Sequence, residues 1–192
     1  MPPSTKITRE IILETGYELV MTSGIESVNS RSIAKIIGCS TQPIFSQFPN
    51  MEELRQSIHN LACKKFEQDV LCNTNSDLFM RSSYLKVINL AKNQKNIFKL
   101  IYLSEYCMGE VFLSTRMNFE SNKKILNEIK LKYHVNDNEC SDILERISLL
   151  IQGIATVIAT ANIQYRDEQV RDIVENTLED IVMGIKERRK KL

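Results

Sequence analysis

Thr41, Gln42, Ser46 and Gln47 are the side chains whose types and spacing best suit chemistry, and the chemistry is recognition rather than catalysis. Glutamine can pair bidentately with adenine, and threonine can hydrogen-bond a base or touch the thymine methyl. Ser46 and Gln47 can reach base or phosphate. Arg31 and Lys35 precede them and can anchor phosphates, which position a protein on a duplex without reading its sequence. Ser40 and Phe45 complete the candidate set.

Such residues need elements that turn them outward. The stretch from Asn29 to Leu54, NSRSIAKIIGCSTQPIFSQFPNMEEL, reads as two short helices joined by a tight turn, then a third. Asn29 is a good N-cap for a helix burying Ile33, Ala34 and Ile37. Gly38 predicts a left-handed stop. Ser40 predicts a cap for the next helix, with Pro43 in its first turn, where a missing N–H costs little. Thr41 to Gln47 is then the exposed recognition element of a helix-turn-helix, with Ile44 and Phe48 turned into the core. A preceding helix is expected from Thr5 to Ser23, with Ile12, Gly16, Leu19 and Val20 on one face and Gly24 as its stop. Pro49 ends the module, and Asn50 with Glu53 predicts a capping box opening the next helix.

These segments resemble the DNA-binding domain of the tetracycline-repressor (TetR) family. ILETGYELVMTSG (12–24) is similar to the family's first helix, IAKIIGCS (33–40) to its second helix and turn, and TQPIFSQFPNMEEL (41–54) to its recognition helix and the start of its fourth. The resemblance implies an all-α chain: a helix-turn-helix domain over 1–49 and a helical regulatory and dimerisation domain over 50–192. It implies a homodimeric transcriptional regulator, usually a repressor, on a palindromic operator in double-stranded DNA, answering to an unidentified small-molecule effector. A ligand would tilt the fourth helix and change the separation of the two reading heads. Three positions depart from the family pattern. Phe45 stands where a phosphate-binding tyrosine is usual, Gln47 replaces a histidine, and Met51 replaces a lysine.

The rest of the chain also reads as helix. Leu54, Ile58, Leu61, Ala62, Phe66 and Val70 form the apolar row of the fourth helix. A polar loop is expected at 73–77, and helices at about 78–92, 94–107 and 110–133. Phe66, Tyr84, Phe98, Tyr102, Tyr106 and Phe112, with Glu105 among them, are the candidate effector-binding set. The last two helices, about 140–165 and 170–186, are apolar on more than one face and must bury more than one face. Ile143, Ile147, Leu150, Ile154, Ile158, Val174, Leu178 and Ile181 are the candidate dimer interface, with a bundle of four helices formed by two copies. The basic tail KERRKKL is expected to satisfy the final carbonyls and stay solvated.

Composition sets limits. The chain has 192 residues, 43% hydrophobic and 26% charged, with a net charge of +1. Within residues 1–48, four basic side chains (Lys6, Arg9, Arg31, Lys35) face four acidic ones (Glu10, Glu14, Glu18, Glu26), an unusual balance for a nucleic-acid binder. Lys6 and Arg9 could touch the DNA backbone. No stretch reads as a membrane span or secretory signal, which predicts a cytoplasmic protein with no membrane partner. Five scattered cysteines (Cys39, Cys63, Cys72, Cys107 and Cys140) signal neither zinc site nor disulfide framework. The two histidines, His59 and His134, form no HExxH or ExxH pattern, and no phosphate loop or GxSxG elbow occurs, so neither an enzyme nor a cofactor or metal site is expected. Two alternatives stand beside the regulator: a dimeric small-molecule sensor or interaction protein with weakened DNA binding, suggested by Phe45 and Met51, and a redox regulator using Cys39.

Overall fold

The computed structural model describes residues 7–72, 79–107, 119–161 and 163–191. Among them the chain is helical, without strands. The helices are α1 (Arg9–Ser23), α2 (Ser30–Ile37), α3 (Gln42–Gln47), α4 (Met51–Cys72), α5 (Phe79–Asn93), α6 (Lys95–Leu103), α7 (Glu120–Tyr133), α8 (Asp137–Ala161) and α9 (Asp167–Arg189). Short 3-10 turns at Ile25–Ser27 and Glu105–Cys107 follow α1 and α6. The chain divides into two compact units: Met1–Phe66 with Asn96–Met108, and Glu67–Lys95 with Gly109–Leu192. The expected loop at 73–77 and the start of the helix expected at 110 lie outside the described residues, as does Phe112.

In the first unit, local chemistry sets each helix end. α1 begins at Arg9, later than Thr5, because the Thr8 hydroxyl accepts the Ile11 N–H at 3.4 Å and caps it there. Asn29 caps α2: its Oδ1 accepts the Ser32 N–H at 2.9 Å while Ser32 Oγ accepts the Asn29 N–H at 3.2 Å. At α4 only half of the predicted box forms. Asn50 Oδ1 accepts the Glu53 N–H at 2.8 Å, but the Glu53 carboxylate turns to Arg9 instead. Ile12, Val20, Ile33, Ile44, Leu54 and Ile58 are fully buried together. Gly16 is where α1 and α4 approach closely. A Cβ there would strike Ile58 Cδ1 and lie 3.1 Å from Ile58 Cγ1.

In the second unit, α8 packs on α5, α7 and α9. It buries Ile143, Ile147, Ile151, Ile154 and Ile158, and α9 answers with Val170, Val174, Leu178, Val182 and Ile185. Both runs recur at three- and four-residue spacing, the stripe of a helix with one buried face. Asn136 and Glu139 cap α8 reciprocally, at 2.8 and 3.0 Å, so α8 begins three residues before the expected Cys140. By length and composition α8 is a helix that could cross a membrane, which corrects the expectation that no stretch approaches one. Nine of its residues are nevertheless buried within this chain.

The basic tail is less free than expected. α9 continues to Arg189, whose guanidinium pairs with Glu139 and donates to the His134 carbonyl at 3.2 Å. The hydrogen bond that Arg189 donates to Glu139 holds the Glu139 carboxyl below its usual range. The end of α9 is thereby fastened to the turn that opens α8.

Candidate nucleic-acid interface

The turn between α2 and α3 is built on Gly38. Its φ of 78° and ψ of 38° are left-handed, and the Gly38 and Cys39 N–H groups both donate to the Ala34 carbonyl, at 2.9 and 3.0 Å. The predicted Ser40 cap does not form. A cap at Ser40 could serve the N–H two or three residues on, and Pro43 removes the second of these, leaving only that of Gln42. The chain enters α3 one residue later. Thr41 takes the cap position without a side-chain bond, and its carbonyl accepts the Ile44 and Phe45 N–H groups at 3.1 and 3.3 Å. Ser40 is left exposed outside the helix.

α3 divides into an inner and an outer face. Ile44 and the following Phe48 are buried, and they pin the helix to the core of the head. Gln42, Phe45 and Ser46, spaced i, i+3 and i+4, form one exposed face; Thr41 and Gln47 are half-buried at its margins. Ser46 Oγ donates to the Gln42 carbonyl at 3.0 Å, so its proton is committed and only its oxygen can accept. Gln42 keeps a donor and an acceptor turned outward. Arg31 and Lys35 on α2 are exposed and have no side-chain partner among the described residues.

The charge balance of the first 48 residues resolves by position. All four acids lie on α1 or the 3-10 turn after it, and Glu14 is paired with Lys65. Between Val28 and Phe48 the only charged residues are Arg31 and Lys35. The surface carrying α2 and α3 is therefore positive although the module is neutral.

Arg9 is engaged within the chain. Its Nη1 donates to the Gln47 carbonyl at 2.7 Å, its Nη2 to Ser57 Oγ at 3.2 Å and Glu53 Oε1 at 3.3 Å, and its guanidinium lies 3.9 Å over the Phe48 ring. It clamps the C-terminal end of α3 to α4. Arg55 does likewise for the start of α2, donating to the Val28 carbonyl at 2.9 and 3.2 Å. Lys6 lies outside the described residues. Met51 is half-buried.

Of the effector-binding candidates, Phe66, Phe98 and Tyr102 come together. Phe98 and Tyr102 stack at 4.9 Å, and Phe66 meets Tyr102 edge-on at 6.3 Å. Tyr106 is buried nearby in sequence, its hydroxyl 3.4 Å from Glu52 Oε2. Glu105 is exposed. Tyr84 belongs to the second unit, where burial first and the Glu175 carboxylate second push its phenol up to about 12. Sequence reading missed a polar row on α4. Gln56, His59 and Cys63 precede Phe66 at alternating three- and four-residue spacing on one face, with Cys63 Sγ 3.6 Å from His59 Nε2. Gln56 Nε2 also donates to the Tyr106 carbonyl at 3.4 Å. The signal was legible: polar residues at helical spacing beside an apolar row, including a histidine that ends up 8% exposed.

The dimer-interface candidates need correction. Ile143, Ile147, Ile154, Ile158, Val174 and Leu178 are buried inside a single chain and have almost no area left for a partner; Leu150 and Ile181 are half-buried. The periodicity identified a buried stripe but not which stripe. α8 and α9 leave other apolar residues open. Leu149 is 54% exposed and Met183 61%, with Ile173 exposed as well. Near Leu149 on α8, Gly153 has nothing within 4 Å of where a Cβ would stand.

The chain is similar to proteins described as transcriptional regulators. The chain is 24% identical over 197 aligned residues to the uncharacterized HTH-type transcriptional regulator YuxN of Bacillus subtilis (strain 168), covering 97% of this chain and 67% of that protein. Among solved structures it is similar to a single-site variant of TetR from Acinetobacter baumannii AYE, crystallised in complex with minocycline. That match has a TM-score of 0.63 and 12% identity, covering 96% of this chain and 99% of the other. It is also similar to a protein from Vibrio parahaemolyticus described as a putative transcriptional regulator of the TetR family. There the TM-score is 0.64 at 18% identity, covering 89% of this chain and 96% of the other. No protein-family model matches the chain.

Proposed function

We propose that this chain, whose fold is that of the TetR-family regulators, is itself a DNA-binding transcriptional regulator of that family, acting as a homodimeric, ligand-responsive repressor. One observation carries the reading. The segment 28–48 closes into a helix-turn-helix that exposes Gln42, Phe45 and Ser46 beside two cations without partners among the described residues, with no acid on the same segment. Gln42 reads a base edge, Arg31 and Lys35 hold phosphates, and Arg9 and Arg55 keep the helices carrying them in register. Two such heads reach successive major grooves of a near-palindromic site, with half-site centres about 34–36 Å apart or a multiple of that.

The effector reading rests on the first unit. Phe66, Phe98 and Tyr102 supply aromatic faces, and His59 and Gln56 on the same face of α4 supply hydrogen-bonding groups, the mixture small-molecule sites use. A ligand there acts only through its preference for one state of the head over the other.

The test is direct. The purified chain is used to select duplexes from a random library, and the enriched sequence is compared with its scrambled counterpart by electrophoretic shift. A specific complex with an inverted-repeat duplex is expected. Equal retardation of both duplexes, or none, would overturn the regulator reading and favour a sensor that has lost DNA binding.

A further inference from the structure

Phe45 stands apart from the other apolar residues of the reading head. Ile44 is 0% exposed and Phe48 1%, whereas Phe45, between them, is 47% exposed on the outward face. It shares that face with Gln42, one turn earlier, and with Ser46, whose proton is already given to the Gln42 carbonyl. The face thus presents one free amide and one bare aromatic ring, and the preceding helix of the same module carries the exposed cations Arg31 and Lys35. Those cations select a polyanionic partner. A phenyl ring cannot bond a phosphate or a base heteroatom. On the major-groove edges of DNA, the apolar group available to it is the thymine 5-methyl.

We propose that Phe45 is a specificity-determining residue that packs on a thymine methyl in each half-site, so that this head is tuned to A·T pairs: adenine for Gln42 and thymine for Phe45. The inference rests on the DNA-binding reading and says what that site recognises. Side chains one turn apart are about 5–6 Å apart. With base steps of about 3.4 Å, the adenine and the thymine stand within about two base pairs of each other.

The experiment uses the full chain and the duplex it selects from a random library. Each thymine is replaced in turn by deoxyuridine, which removes only the methyl. The wild-type chain should lose about fourfold in affinity at one symmetry-related thymine per half-site, the worth of one buried methyl-sized group. Phe45→Ala should lose affinity for the thymine duplex and become indifferent to the replacement, while Phe45→Leu retains part of the discrimination. The ring is half in water, so thermal melts of both variants should match wild type and exclude misfolding as the cause. A wild-type chain indifferent to deoxyuridine at every position, or a Phe45→Ala chain with an undiminished penalty, overturns the assignment but leaves DNA binding standing. Failure to select any specific duplex overturns the DNA-binding reading itself, and this inference with it.

Discussion

Arg9 shows how much of a cation's engagement is hidden when only its charge is visible. From sequence it is one of four basic residues near the amino end and a candidate for the DNA backbone. In the structure it joins three separate groups, the Gln47 carbonyl, Glu53 and Ser57, and covers the Phe48 ring. We expect such a residue to contribute to the stability of the head rather than to its affinity. Arg9→Ala should therefore lower the stability of the chain by about 1–2 kcal/mol, the scale of lost charge-assisted hydrogen bonds at a partly exposed site. The salt dependence of DNA binding should stay as in wild type. Melting curves and a salt titration separate the two roles; a stable variant with a flattened salt dependence would return Arg9 to the DNA surface. Arg31 and Lys35 carry the opposite expectation, because neither is held by a side chain among the described residues.

At the scale of elements, helix existence was legible, but helix ends only in part: the caps at Thr8 and Asn136 that start α1 and α8 were not read. Asn29 and Gly38 did what their types dictate. Ser40 did not; Pro43 removes one of the two N–H groups a cap there could serve, a conflict visible in the sequence once cap and helix positions are counted together. The exposed face at Gln42 and Ser46 was readable from spacing. The buried row of α8 was readable too, but which of its two apolar rows faces the chain's own core was not, since periodicity gives a stripe and no direction. The Arg189–Glu139 clamp was invisible to local reasoning, because 50 residues separate its ends. It makes a pH prediction. The Glu139 carboxyl is held below its ordinary value of 4.5, so its contribution to stability is present above that pH and is lost as pH falls through the depressed value. Glu139→Gln should melt earlier than wild type at neutral pH, and the gap should close in acid. A gap that stays constant throughout the acid range would mean the pair contributes no linked stability.

At the scale of the whole molecule, the proposal needs two chains. The apolar residues that α8 and α9 leave open, Leu149, Ile173 and Met183, are the ones able to lose area against a second copy. Leu149→Arg with Met183→Arg should yield a folded monomer in sedimentation and abolish tight operator binding, because one head makes half the contacts. A variant that remains dimeric would place the interface elsewhere. The central claim, that α2 and α3 present a positive reading surface to DNA, is tested most directly by measuring affinity for the selected duplex over a salt series. The comparison is between wild type and the Arg31→Ala/Lys35→Ala double variant. If each cation holds one phosphate in both protomers, log affinity against log salt should have a slope of about −3.6 or steeper, four contacts at about −0.9 each. The double variant should flatten by that amount while staying folded. Equal slopes in the two proteins would contradict the account.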